Sequence, residues 1–121
     1  MAKYNILQDK SFAFAVRIVN LYKFLRDEKK EFTLSKQVLR SGTSIGANTE
    51  EGIGGQSDKD FVMKLSIAYK EARETIYWLR LLNATEYLSG EQFDSIYSDA
   101  EELCKILAKI LLTMKNKTRN S

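Results

Sequence analysis

The sequence predicts an all-α fold, an antiparallel up-down-up-down four-helix bundle, and three observations carry that expectation. Four segments repeat apolar residues at alternating spacings of three and four, the period of a helix face. The chain contains no proline, the strongest breaker of helix interiors. The segments between are short, and short connections join antiparallel neighbours. The 121 residues fit one domain over 1–121, long enough to bury a core without disulfides or metals.

The first helix is expected over Ser11–Arg26. Phe14, Ile18, Leu21 and Leu25 share one face, and Phe12, Val16, Val19 and Tyr22 form a second stripe beside it. Only Arg17, Asn20 and Lys23 leave a polar strip, so the helix has more to bury than one bundle seam offers. That excess points either to deep burial or to a second interface with another subunit. Asp27–Glu31 reads as a frayed end and turn.

The second helix is expected from Thr33, as N-cap, to Glu51. Leu34, Val38, Ser41, Ile45 and Asn48 fall on one face. The run Ser41–Thr49 has poor helix propensity, and each interior glycine costs about 1 kcal/mol relative to alanine. A structureless loop over 41–57 is nonetheless uncommon in a compact domain. The expectation is a helix whose small residues let a neighbouring backbone approach, stopped by Gly52, Gly54 and Gly55.

The third helix opens on the cap Ser57-Asp58-Lys59-Asp60 and is expected to end near Tyr87. Phe61, Leu65, Ala68, Ala72, Thr75, Leu79 and Leu82 hold its face. The fourth opens on Ser89-Gly90-Glu91-Gln92, a Ser-x-x-Gln capping box. Phe93, Ile96, Ala100, Leu103, Leu107, Ile110 and Met114 repeat as heptads, which suits left-handed bundle packing. Residues 115–121 are expected to form a frayed basic tail.

Charge is unevenly distributed. Residues 1–40 hold nine Lys/Arg against four Asp/Glu, residues 41–104 five against twelve, and residues 105–121 five against none. In an up-down-up-down bundle the end of the fourth helix lies near the start of the first. Lys105, Lys109, Lys115, Lys117 and Arg119 are thereby expected to converge with Lys3, Lys10 and Arg17 on one basic surface, the candidate nucleic-acid-binding region.

Catalytic parts are sparse, and the expectation is that the protein is not an enzyme and needs no cofactor or metal. Histidine, the commonest general base and transition-metal ligand, is absent. The glycine-rich 42–55 stretch lacks the Gly-Lys-Ser/Thr ending and the preceding strand of a phosphate loop. Glu71-x-x-Glu74 has no histidine to complete a di-metal motif. Cys104 reads as a buried inert thiol, and Tyr77 and Trp78 as packing or interface residues rather than base-stacking ones. Asn48 lies on the apolar stripe of the second helix with Glu51 one turn on. Their expected partners are Glu71, Arg73 or Glu74. Arg40, Asn48, Glu51, Glu71 and Glu74 are read as a structural polar network fixing helix register, with a ligand-facing cluster as the alternative.

The lone cysteine and the absence of a leader-like apolar stretch at the N-terminus point to a cytoplasmic protein. No apolar run approaches the roughly 20 residues of a membrane span.

Leu39-Arg40-Ser41-Gly42-Thr43-Ser44-Ile45-Gly46-Ala47-Asn48-Thr49-Glu50-Glu51-Gly52 resembles the Arg-Ser-x-x-Ser-Ile-x-x-Asn-x-x-Glu-Gly signature of the four-helix-bundle proteins encoded in intervening sequences of 23S ribosomal RNA genes. Asp60-Phe61 and Ile67–Thr75 match that family's third helix. The resemblance implies a homopentameric barrel. It also implies kinship with the accessory variability determinant of diversity-generating retroelements, which binds nucleic acid and a reverse transcriptase. The expected function is an oligomeric bundle binding RNA or a nucleoprotein partner through a basic surface. The alternative is a protein-interaction scaffold that presents its acidic middle to a basic partner.

Overall fold

Helical periodicity runs through nearly the whole chain in the computed structural model, which describes residues 4–119, the side chains of 118 and 119 excepted. The elements are α1 (Asn5–Asp27), α2 (Leu34–Ile53), α3 (Asp58–Ala84) and α4 (Gly90–Arg119). Each helix packs on the next. α2 and α3 share the most extensive seam, and α1 and α4 close the ring along the sparsest. Among the described residues no helix is long and apolar enough to cross a membrane.

α1 begins two turns earlier than expected because Leu7, buried at 1% exposure, extends the inward face of Ser11, Phe14, Ile18 and Leu25. Leu21 sits at its margin, half-buried. The chain leaves α1 through Lys30, in the left-handed region at φ 54°, while the Glu31 N–H returns to the Leu25 carbonyl at 2.9 Å.

α2 is a continuous helix despite its composition, and its neighbours explain why. A Cβ on Gly42 would stand 2.6 Å from Ile18 Cγ1, and one on Gly46 3.3 Å from the Ser11 backbone oxygen. These positions are small because α1 lies against them. The hydroxyls of Thr43, Ser44 and Thr49 donate to the carbonyls of Leu39, Arg40 and Ile45 at 2.7, 2.7 and 2.8 Å. These bonds satisfy the hydroxyls within the helix but of themselves slightly destabilise it, so the packing against α1 is what keeps this run helical.

Two expectations for α2 need correction. Thr33 stands at the N-cap position, but its side chain caps nothing. The Glu31 carboxylate does so instead, accepting from Thr33 N at 3.2 Å and Ser35 N at 2.7 Å. Beyond Ile45 the inward position is Thr49, fully buried, and not Asn48. The four-residue step keeps Thr49 in line with Val38, Gly42 and Ile45, whereas a three-residue step turns Asn48 toward the outer edge of the seam. Gly52 is inside the helix against Leu65, and none of the glycines has positive φ.

All seven expected core positions of α3 are buried. Ser57 caps the helix, accepting from Asp60 N at 3.1 Å. α3 ends at Ala84 rather than near Tyr87, because Glu86 takes φ 68° and sends the Tyr87 N–H back to the Leu82 carbonyl at 2.9 Å. The Glu86 N–H returns to Asn83 at 3.1 Å, completing a Schellman closure. The α4 capping box is reciprocal: Ser89 N donates to Gln92 Oε1 at 2.9 Å, and Gln92 N to Ser89 Oγ at 3.1 Å. Ile96, Ala100, Leu103, Leu107 and Met114 are buried along its heptads, with Phe93 and Ile110 at the margin. The expected frayed tail is helical through Arg119, and Lys117 reaches Asp58 at 3.1 Å.

Candidate nucleic-acid interface

The start of α1 and the end of α4 do lie at one end of the bundle. Tyr4 and Met114 line a common depression there, together with the α2–α3 turn. The cations expected to gather near this seam are nonetheless interleaved with carboxylates of α4. Lys10 pairs with Glu102 at 3.0 Å, and Arg17 with Asp99 at 2.7 Å. Arg17 also donates to the Ser95 carbonyl at 3.2 Å and the Ser95 hydroxyl at 3.0 Å. Lys105 lies 3.6 Å from Glu101 on the same helix, and Lys117 is held by Asp58. Lys109 and Lys115 are exposed and pair with no carboxylate among the described residues. Lys3 and the Arg119 side chain fall outside the described set.

The acidic first half of α4 thus faces the basic outer edge of α1. These surface pairs each contribute only about 0–1 kcal/mol to stability. Their consequence is that the local positive field falls where the linear charge pattern suggested it would rise.

The signature residues of α2 divide into separate groups. Arg40 bridges α2 to α3, donating to Glu71 at 2.9 Å and also to Glu74. Trp78 Nε1 donates to the same Glu74 carboxylate at 3.0 Å. Partial burial works against the charge on Arg40. The hydrogen bond to Glu74 and the charges of Glu71 and Glu74 outweigh it, holding the guanidinium above its usual range. The carboxylates of the Glu71-x-x-Glu74 pair are therefore engaged with a cation of their own chain.

Asn48 is not part of this group: its Nδ2 donates to Ser44 O in its own helix at 2.9 Å. Glu51 pairs with Lys64 at 2.8 Å. Arg73 turns away to Tyr69, at 3.1 Å from the hydroxyl. The sequence reading missed the Ser41–Thr75 hydroxyl contact, 2.9 Å and buried, which joins α2 to α3 at the centre of the bundle. Its signal was available, since both residues fall on inward stripes. Cys104 is half-buried rather than buried, and burial pushes its thiol pKa up. That keeps it largely protonated near neutral pH and weakly nucleophilic.

The outer face of α1 has no cover among the described residues. Ile6, Phe12 and Val16 are 67, 70 and 47% exposed. Beside them a groove of about 230 Å³ runs between α1 and α2, lined by Ser11, Phe12, Ala15, Thr43, Gly46, Ala47 and Glu50. Gln8 Nε2 and Glu50 Oε2 approach at 3.3 Å across its mouth.

A family model described as 23S rRNA-intervening sequence protein matches residues 3–109. Among solved structures, the chain is similar to a crystal structure of a protein of unknown function from the S23 ribosomal protein family of Bacteroides thetaiotaomicron VPI-5482. The two share 60% sequence identity and a TM-score of 0.88, over 90% of this chain and 97% of that one. No curated protein sequence matches the chain. The matched span takes in the small-residue run that seats α2 against α1 and the Arg40–Glu71–Glu74 bridge that ties α2 to α3, and on that match the chain belongs to the 23S rRNA-intervening sequence protein family.

Proposed function

We propose that this protein is a non-enzymatic, self-assembling helical module whose oligomer binds RNA or an RNA-containing partner. The observation that carries the reading is the uncovered apolar face of α1, on which Phe12 is 70% and Val16 47% exposed beside a ready groove. A contiguous apolar surface of this kind marks a protein contact. Phe12 forms one wall of the α1–α2 groove, so stripe and groove make one continuous patch on which the next copy seats. A heterologous contact there generates a ring when its rotation closes. The family resemblance sets the ring at five. It also supports an RNA or reverse-transcriptase partner, in keeping with a family described by its place in ribosomal RNA genes. Ring symmetry repeats each subunit's cations, so a net charge of +3 per chain adds up around the assembly.

Light scattering at micromolar concentration tests the assembly. The expected mass is a multiple of 13.9 kDa, and F12K/V16K is expected to run as a folded monomer. A wild-type monomer refutes self-assembly. An oligomer that binds no structured RNA at low salt favours the protein scaffold instead.

A further inference from the structure

Four of the cations that form no ion pair among the described residues gather at the opposite end of the bundle from the predicted basic surface, whereas Lys59, Lys70, Arg80, Lys109 and Lys115 are unpaired elsewhere. The four lie around the α1–α2 turn, within two helical turns of it on either side. Lys23 in α1, Lys29 and Lys30 in the turn, and Lys36 in α2 are all exposed, and none forms an ion pair among the described residues. Two of the three carboxylates of the turn are already occupied. Asp27 is gripped by Arg26 through two hydrogen bonds of 2.7 and 3.0 Å, and Glu31 is spent on capping α2. Arg26 lowers the pKa of Asp27, and the charges of Lys30 and Lys23 add to that effect, which places both ammonium groups in reach of one spot. Glu28 is the remaining acidic residue of the turn.

Phe32 stands in the same turn, 54% exposed and outside the core cluster. The Lys30 φ of 54° and the Glu31 cap hold the turn in shape, so the lysines and the ring are displayed on a fixed bend.

From this arrangement we infer that the α1–α2 turn is a single-stranded RNA-binding surface, with Lys23, Lys29, Lys30 and Lys36 on phosphates and Phe32 stacked on a base. These lysines are in no ion pair and give up little when they meet a phosphate, Lys29 a contact 5.7 Å from the Phe24 ring centroid, whereas Lys10, Arg17 and Lys117 must first leave a carboxylate. An exposed ring among such lysines is the combination by which proteins hold single strands: backbone charge gives affinity, and the face of any base can stack. Because stacking on Phe32 and contacts to phosphates carry no base identity, binding is expected to discriminate little between sequences. The inference rests on the RNA-binding reading above and relocates its site.

The test is fluorescence anisotropy of a labelled 20-nucleotide oligouridylate against the full chain at 50 and 200 mM salt, with heparin as a second probe. K23Q/K29Q/K30Q/K36Q is expected to bind RNA at least tenfold more weakly at 50 mM. Its salt slope should be shallower by about 3, from about 0.7 per lost phosphate contact on a single strand. F32A is expected to weaken RNA binding about tenfold and leave heparin binding unchanged. K109Q/K115Q, at the other end, is expected to change RNA binding less than twofold. If the wild type binds the oligonucleotide and the turn variant binds equally well, this site is wrong while the RNA reading stands. If the lysine variant loses binding but F32A does not, the turn is a generic polyanion contact and the single-strand assignment fails. If the wild type binds a structured RNA but not the oligouridylate at 50 mM, the single-strand site fails while the RNA reading stands; if it binds neither, the RNA reading fails and takes this site with it.

Discussion

Replacing Gly42 by alanine sets two effects of similar size against each other. The substitution removes an interior-helix glycine, which by propensity alone stabilises by about 1 kcal/mol. The added methyl, however, would sit 2.6, 2.8 and 2.9 Å from Cγ1, Cγ2 and Cδ1 of Ile18, a fully buried side chain. Contacts that short force a shift in a packed core, and overpacking of this kind costs about 1–3 kcal/mol. The net expectation for G42A is a loss of about 0–2 kcal/mol, on the propensity and overpacking figures together. I18A removes all three clashing atoms and leaves a cavity, at about 2–5 kcal/mol. In G42A/I18A the methyl at position 42 enters that space and the propensity gain returns. The double variant should then be more stable than the sum of the singles by at least about 1 kcal/mol, within the range found for residues in contact. Urea unfolding followed by circular dichroism measures all four proteins. Protein concentration must be held constant, because assembly contributes to stability. A G42A protein stabilised by the full propensity gain, or strict additivity in the double variant, would refute the close α1–α2 approach as the reason for glycine at this position.

Two further predictions concern polar contacts. Thr75 Oγ1 lies 2.7 Å from the Glu71 carbonyl and 2.9 Å from Ser41 Oγ, so the Ser41 hydroxyl donates to Thr75 while Thr75 donates to Glu71. S41A should therefore cost about 1 kcal/mol in thermal or urea unfolding, and S41A/T75V should cost at least as much, because Thr75 keeps its bond to the Glu71 carbonyl in S41A and loses it in the double variant. At the start of α2, E31A should destabilise by about 1 kcal/mol while T33A changes stability by less than about 0.5 kcal/mol. The reverse order in melting temperature would show that Thr33, and not Glu31, caps the helix.

Helix existence and inward faces were legible in the sequence because periodicity is a property of the chain alone. The faces of α3 and α4 follow from spacings of three and four, and the Ser57 and Ser89 caps from residue types at fixed offsets. Helicity of Ser41–Thr49 could be argued only indirectly, since local propensity disfavours it and packing against α1 overrides that preference. Within α2 the choice between Asn48 and Thr49 depended on helix rotation, a difference of one residue step that no local pattern decides.

What the sequence by itself determined is the set of four helices, their order and the stripes they bury. Tertiary structure alone decided which charges remain available. The basic ends of the chain read as one surface because linear counts ignore what lies opposite, and what lies opposite α1 is the acidic first half of α4. Lys10 and Arg17 are therefore paired, whereas Lys23, Lys29, Lys30 and Lys36, interspersed with acids in the sequence, are not. The reason is geometric. An ion pair needs its atoms within about 4 Å, and that distance is set by the register between helices, which only the folded bundle defines.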